Sequence, residues 1–164
     1  MMSIYQVDVQ NDGNFAVDIA RLEQAAQAVL EMQGVEQGSL TVVIEDDEAV
    51  AVLNQRYRGV DSATDVLSFP ADEPPVPLDE DELPYLGDLV IAYPYALNQA
   101  QREGHGMDDS LVLLVVHGTL HLLGFDHDTP ENRAVMWAAQ EAALLRLGVS
   151  PDIVPALEGQ SHDG

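Results

Sequence analysis

Three histidines fall within eleven residues of a 164-residue chain: His117, His121 and His127. His117 and His121 are four positions apart, a spacing that on a helix puts both imidazoles on one face, one turn apart. Gly124 permits the left-handed turn that ends such a helix, and the returning chain can then deliver His127 as a third ligand. Three neutral imidazoles suit one transition-metal ion per chain, zinc first, although imidazole also serves other divalent ions. They leave one tetrahedral position open, which is the pattern of a catalytic rather than a structural site. Without a metal, two imidazoles on a buried helix bring no benefit, because an unpaired buried ring costs free energy. His105 and His162 have no partner at metal spacing.

The spacing H-x-x-x-H-x-x-G-x-x-H is also that of the metzincin proteases. There a glutamate follows the first histidine and activates water; here the residue is Gly118. The base for peptide cleavage is missing from its usual place. A mid-helix glycine costs about 1 kcal/mol relative to alanine, so clearance for a substrate or a neighbouring strand is expected at that point.

Around this constellation the composition is acidic. The chain has 29 acidic and 6 basic residues, a formal net charge of −23, and 46% hydrophobic residues. All basic residues are arginines: Arg21, Arg56, Arg58, Arg102, Arg133 and Arg146. Such a surface repels phosphate backbones at long range, so a nucleic-acid substrate needs a local basic patch or a metal. Cysteine is absent, which excludes disulfides, thiolate metal sites and cysteine nucleophiles. The N-terminal residues have no basic region followed by an apolar stretch, and the apolar run Leu111 to Val116 is too short to span a bilayer. A soluble cytoplasmic protein is expected.

The elements that must position the histidines follow from periodicity and caps. Strands are expected over Ser3–Val9, Ser39–Glu45, Asp65–Phe69 and Leu86–Ala92. Helices are expected over Ile19–Gln33 behind Asp18, from Asp46 or Asp47 through Arg56, and over Pro94–Glu103. A further helix over Ser110–Leu123 opens at Asp108 and Asp109, and a last one starts at Thr129-Pro130-Glu131 and runs to Leu147. Ala71–Pro84, rich in proline and acids, reads as a solvated loop near the active site. The order gives an α+β fold, a four-stranded mixed sheet packed with about five helices. Residues 1–148 form one domain and 149–164 a flexible tail.

The segment His117-Gly118-Thr119-Leu120-His121-Leu122-Leu123-Gly124-Phe125-Asp126-His127 resembles the H-G-x-L-H-L-x-G-x-D-H signature of the YbeY proteins, bacterial metal-dependent endoribonucleases of ribosomal RNA maturation. Leu53-Asn54-Gln55-Arg56-Tyr57-Arg58 and Thr64-Asp65-Val66-Leu67-Ser68-Phe69-Pro70 resemble the family's L-N-x-x-[YF]-R and T-D-V-L-S-F-P blocks. Leu86-Gly87-Asp88-Leu89-Val90-Ile91 resembles its L-G-D-I-x-I strand. The resemblance implies zinc on His117, His121 and His127, and a functional arginine at Arg58. It implies cleavage of single-stranded RNA, maturation of the 16S rRNA 3′ end and ribosome quality control. The implied partners are the small ribosomal subunit and its proteins, with no membrane and no DNA.

The residues themselves supply the chemistry for that reading. Phosphodiester cleavage builds charge on non-bridging oxygens, which a metal and a guanidinium both stabilise. Arg58 is the leading catalytic residue; Arg56, two positions away, faces elsewhere on a helix. Asp126 either orients a ligand ring or caps the turn. Asp65 and Asp88 are expected to make backbone or turn contacts. The low aromatic count offers no base-stacking platform. Two other readings stay open: a zinc amide or peptide hydrolase, and a non-catalytic ribosome-assembly factor with a structural zinc. The acidic surface suits basic ribosomal proteins in the latter case.

Overall fold

Residues 38–45 alternate between buried and half-buried along their whole length, as a strand does when one face is sealed by helices and the other partly covered. In the computed structural model, which describes residues 4–60, 64–71 and 82–150, this strand β2 (Gly38–Glu45) lies inside a four-stranded sheet. β1 (Tyr5–Gln10) and β4 (Tyr85–Ala92) flank it in parallel, and β3 (Val66–Pro70) closes the far edge antiparallel to β4. The order is β1-β2-β4-β3. Five helices complete the expected α+β fold: α1 (Ile19–Met32), α2 (Asp47–Arg58), α3 (Tyr93–Glu103), α4 (Met107–Leu122) and α5 (Pro130–Arg146).

The two faces of the sheet have different cover. Leu40, Val42 and Ile44 of β2 and Leu89 and Ile91 of β4 join the main core with α1 and α4. On the other face, Val90 and Ala92 pack with Leu67 and with Val50 of α2 in a smaller cluster. α4 is the central helix. Every residue from Ser110 to Leu120 is buried, because the sheet, α1 and α5 surround it.

Most boundaries fall within two residues of the sequence expectation, for reasons visible in the caps. Asp18 accepts from Arg21 N–H and starts α1; Asp46 accepts from Ala49 N–H and starts α2. α2 runs on to Arg58, two residues past the expected end, and Gly59 stops it in the left-handed conformation. α4 begins at Met107 rather than Ser110. Asp108 and Asp109 are therefore inside its first turn, where the helix dipole favours them, and Asp109 also pairs with Arg21 at 3.1 Å. The expected tail starts at 149, but Val149 is buried and its N–H donates to Leu144 O at 2.9 Å. Residues 151–164, and residues 72–81 of the acidic loop, lie outside the described residues.

Gly118 sets how closely α4 approaches the sheet. A Cβ there would stand 2.8 Å from Leu89 Cδ2 and 3.3 Å from Ser68 Oγ. Leu89 is fully buried, so its δ-methyl could move aside only against close-packed neighbours. Of the two clearances the sequence left open, the structure has that for the neighbouring strands. Gly118→Val is expected to lower stability by about 2 kcal/mol, the usual effect of overpacking a core. It should appear as a lower urea midpoint at constant slope; an unchanged midpoint would show that the close approach does not require glycine.

Candidate metal centre

The end of α4 is built to return the chain. Gly124 adopts φ 98°, a conformation that side chains rarely tolerate. Its N–H donates to His121 O at 3.0 Å, and Phe125 N–H donates to Leu120 O at 3.0 Å. These two bonds form a Schellman closure, and Phe125 packs back on the core that holds Leu120. The next residues are fastened in turn. His127 N–H donates to Asp126 Oδ1 at 2.8 Å, and Asn132 Nδ2 donates to Asp128 Oδ1 at 2.8 Å. That amide holds the Asp128 carboxyl below the usual carboxylate range. Thr129 then caps α5 through Asn132 N–H.

The result is a convergence of three rings. One nitrogen from each of His117, His121 and His127 lies within 4.8 Å of the others, a group that can hold a metal ion. His117 is fully buried and the other two are half-buried. His117 Nε2 and His121 Nε2 are 3.1 Å apart. Nitrogens bound at 2.0–2.1 Å on a tetrahedral ion stand about 3.4 Å apart, so this pair already has close to the required separation. His127 completes the group within the same 4.8 Å.

Gln140 on α5 prepares the innermost ring. Its Oε1 is 2.9 Å from His117 Nδ1. An amide oxygen only accepts, so Nδ1 carries the proton and Nε2 keeps its lone pair for a metal. The Gln140 Nε2 is buried with no hydrogen-bond partner, so the residue tolerates an unsatisfied donor while its oxygen serves the ring. Trp137, one turn earlier, walls the site. Its ring meets His117 and His127 edge-on at centroid distances of 5.9 and 5.6 Å. Neither residue was singled out in the sequence. The available signal was a glutamine on the apolar stripe of α5, among Met136, Ala143 and Leu144.

Beside the histidines lies a cleft of about 470 Å³. His121, Phe125 and Asp126, from the end of α4 and its turn, line it together with Arg58 of α2 and Ser68 and Phe69 of β3. The structure thus brings Arg58 to the same cleft as a metal-facing ring, while Arg56 is exposed on another side of α2. Asp126 keeps a turn role, through the His127 backbone. Asp65 accepts from Val66 N–H at 2.8 Å, a backbone contact as expected. Asp88 lies on the opposite face of the sheet and accepts from Tyr85 O–H. His105 is outside the metal group, and His162 lies outside the described residues.

Gln140→Met keeps volume and removes both the acceptor and the unsatisfied donor. Metal affinity should fall 10- to 100-fold, the usual loss for a partner of a ligating histidine, with thermal stability of the metal-free protein nearly unchanged. Gln140→Glu restores an acceptor and should restore affinity. Chelator competition measures both; equal affinities across the three proteins would remove Gln140 from the site.

Similarity to known proteins agrees with this geometry. The family model described as endoribonuclease YbeY matches residues 7–148. An endoribonuclease YbeY of Moorella thermoacetica is 46% identical over 133 residues, covering 79% of this chain and 84% of the relative. One of Chloroflexus aggregans is 44% identical over 155 residues, covering 88% and 97%. The fold matches the solution structure of TM1509 from Thermotoga maritima with a TM-score of 0.57 and 21% identity, over 98% of this chain and 96% of that one. A signature that ends in a ready-made cluster of imidazoles and a match along nearly the whole described domain lead to one conclusion: the chain belongs to the endoribonuclease YbeY family.

Proposed function

We propose that this protein is a zinc-dependent endoribonuclease that cuts single-stranded ribosomal RNA in the cytoplasm, at the 3′ end of the 16S precursor, in contact with the small ribosomal subunit and its proteins. His117, His121 and His127 hold one zinc ion, and Arg58 is the catalytic residue that grips the phosphate. The observation that carries this reading is the shared cleft. Arg58 and His121 line one hollow, so a single phosphodiester can meet both.

The residues divide the work as follows. A zinc ion bound there supplies Lewis acidity at a phosphoryl oxygen and acidifies water. Arg58 closes α2, and its guanidinium can donate two parallel hydrogen bonds to non-bridging oxygens as their charge grows. Gln140 keeps the His117 lone pair directed at the ion. Trp137 and the α5 wall keep water from one side. Among the described residues the metal group contains three side chains, which supports an open coordination position and a catalytic ion rather than a structural one. Nothing favours peptide cleavage, because the position of the protease base is Gly118 and faces the sheet.

Purified protein should contain about one zinc per chain, as a single three-histidine site requires, and His117→Ala should lose both zinc and cleavage. Full activity in metal-free protein would overturn the assignment. Arg58→Ala should slow cleavage of a short single-stranded RNA by about 100-fold, the scale for removing one donor to a developing oxyanion, while zinc content stays at wild-type level. Unchanged kinetics would exclude Arg58. A casein-type peptide panel run in parallel, with chelator controls, should show no cleavage; activity on peptide alone would reverse the functional reading.

A further inference from the structure

The low aromatic content suggested no base-stacking platform, yet the fold collects aromatic side chains at the metal cleft. Tyr57 and Phe69 form an edge-to-face pair with centroids 5.2 Å apart. Both line the metal cleft, and both also line a larger groove of about 900 Å³ over the second face of the sheet. They are therefore the ridge between two hollows. Tyr57 is 61% exposed although it immediately precedes Arg58, at the end of a helix whose apolar residues could have covered it. Its neighbours along the groove, Val52 and Tyr85, are also exposed. A single exposed aromatic needs no explanation, but a contiguous patch beside an active cleft does.

Charge restricts what this ridge can receive. Glu45 and Asp88 line the groove beyond it, and its described lining contains no lysine or arginine. A phosphate is repelled there, and the net charge of −23 adds to the repulsion. A nucleobase is neutral and has a π-face, so it can lie on an aromatic ring without ionic help. The phosphate of the same nucleotide can turn to Arg58, which lines the other side of the ridge.

We propose that Tyr57, backed by Phe69, is a nucleobase-stacking subsite that holds an unpaired base next to the scissile phosphate. This rests on the ribonuclease reading and deepens it. It gives a physical origin for single-strand preference, because a base within a duplex is already stacked on both faces and cannot be presented to the ridge. It also shows how a strongly acidic protein can hold RNA, with stacking taking the role that lysines have in a basic nuclease.

The test uses the full chain with its metal and short single-stranded RNAs, each with one abasic nucleotide at a different position. Tyr57→Leu keeps apolar bulk but removes the ring; Tyr57→Phe keeps the ring. Binding is read by fluorescence anisotropy, cleavage by KM and kcat, and zinc content and melting temperature are measured on every variant. The leucine variant should bind intact RNA about tenfold more weakly, the loss of one base stack, with raised KM and wild-type zinc content. The phenylalanine variant should match wild type. At one abasic position, wild type and the leucine variant should become equal. If wild type cleaves RNA and the leucine variant binds and cleaves equally well, or its defect is the same at every abasic position, the stacking subsite is wrong and the ribonuclease reading stands. If wild type neither binds nor cleaves the RNAs, both are wrong.

Discussion

A helix enclosed on every side has no solvent to satisfy its polar side chains, and α4 carries a fully buried imidazole at His117. Much else follows from that demand. One ring nitrogen is satisfied by Gln140, which fixes α5 as the wall behind the site. The other is directed to the place where His121 and His127 converge. The neighbouring face of α4, at Gly118, lies close against the sheet, which leaves no room for a side chain there and brings β3 within reach. β3 in turn places Ser68 and Phe69 at the cleft that Arg58 enters from α2.

Much of this was legible in the sequence because it depends on local rules. Asp18, Asp46 and Thr129 announce helix starts by the backbone N–H groups they accept, and Gly59, Gly124 and Gly148 announce helix ends by their left-handed φ. The i, i+4 histidine pair and the turn to His127 are equally local. What escaped depends on contacts distant in sequence. Gln140 is 23 residues from His117, and its place on the apolar stripe of α5 marks it as buried without showing which group it meets. Tyr57 and Phe69 meet only after α2 and β3 have docked. The first turn of α4 likewise carries a contact distant in sequence, the Asp109 pair with Arg21 88 residues away.

Two of the six arginines are taken up by the architecture. Arg21 ties α1 to α4, and Arg146 ties α5 to α1 through Glu31 at 2.6 Å. Both pairs are partly exposed, so each adds little stability by itself, and they act mainly to orient the helices. The protein therefore has no broad basic field with which to collect RNA from a distance. Recognition becomes short-ranged, and encounter is slower than for a basic nuclease unless a partner presents the strand.

The Schellman closure at Gly124 has a consequence for how metal binding would be linked to stability. The three rings lie on one short stretch of chain, so bringing them together closes only a small loop and costs little entropy. The closure is held by the Gly124 and Phe125 hydrogen bonds and by Phe125 on the core, so the turn keeps its shape without help from the rings. An ion held by all three rings would fasten the His127 segment to α4 and leave the sheet untouched, so its stabilising effect would be concentrated in the loop between α4 and α5.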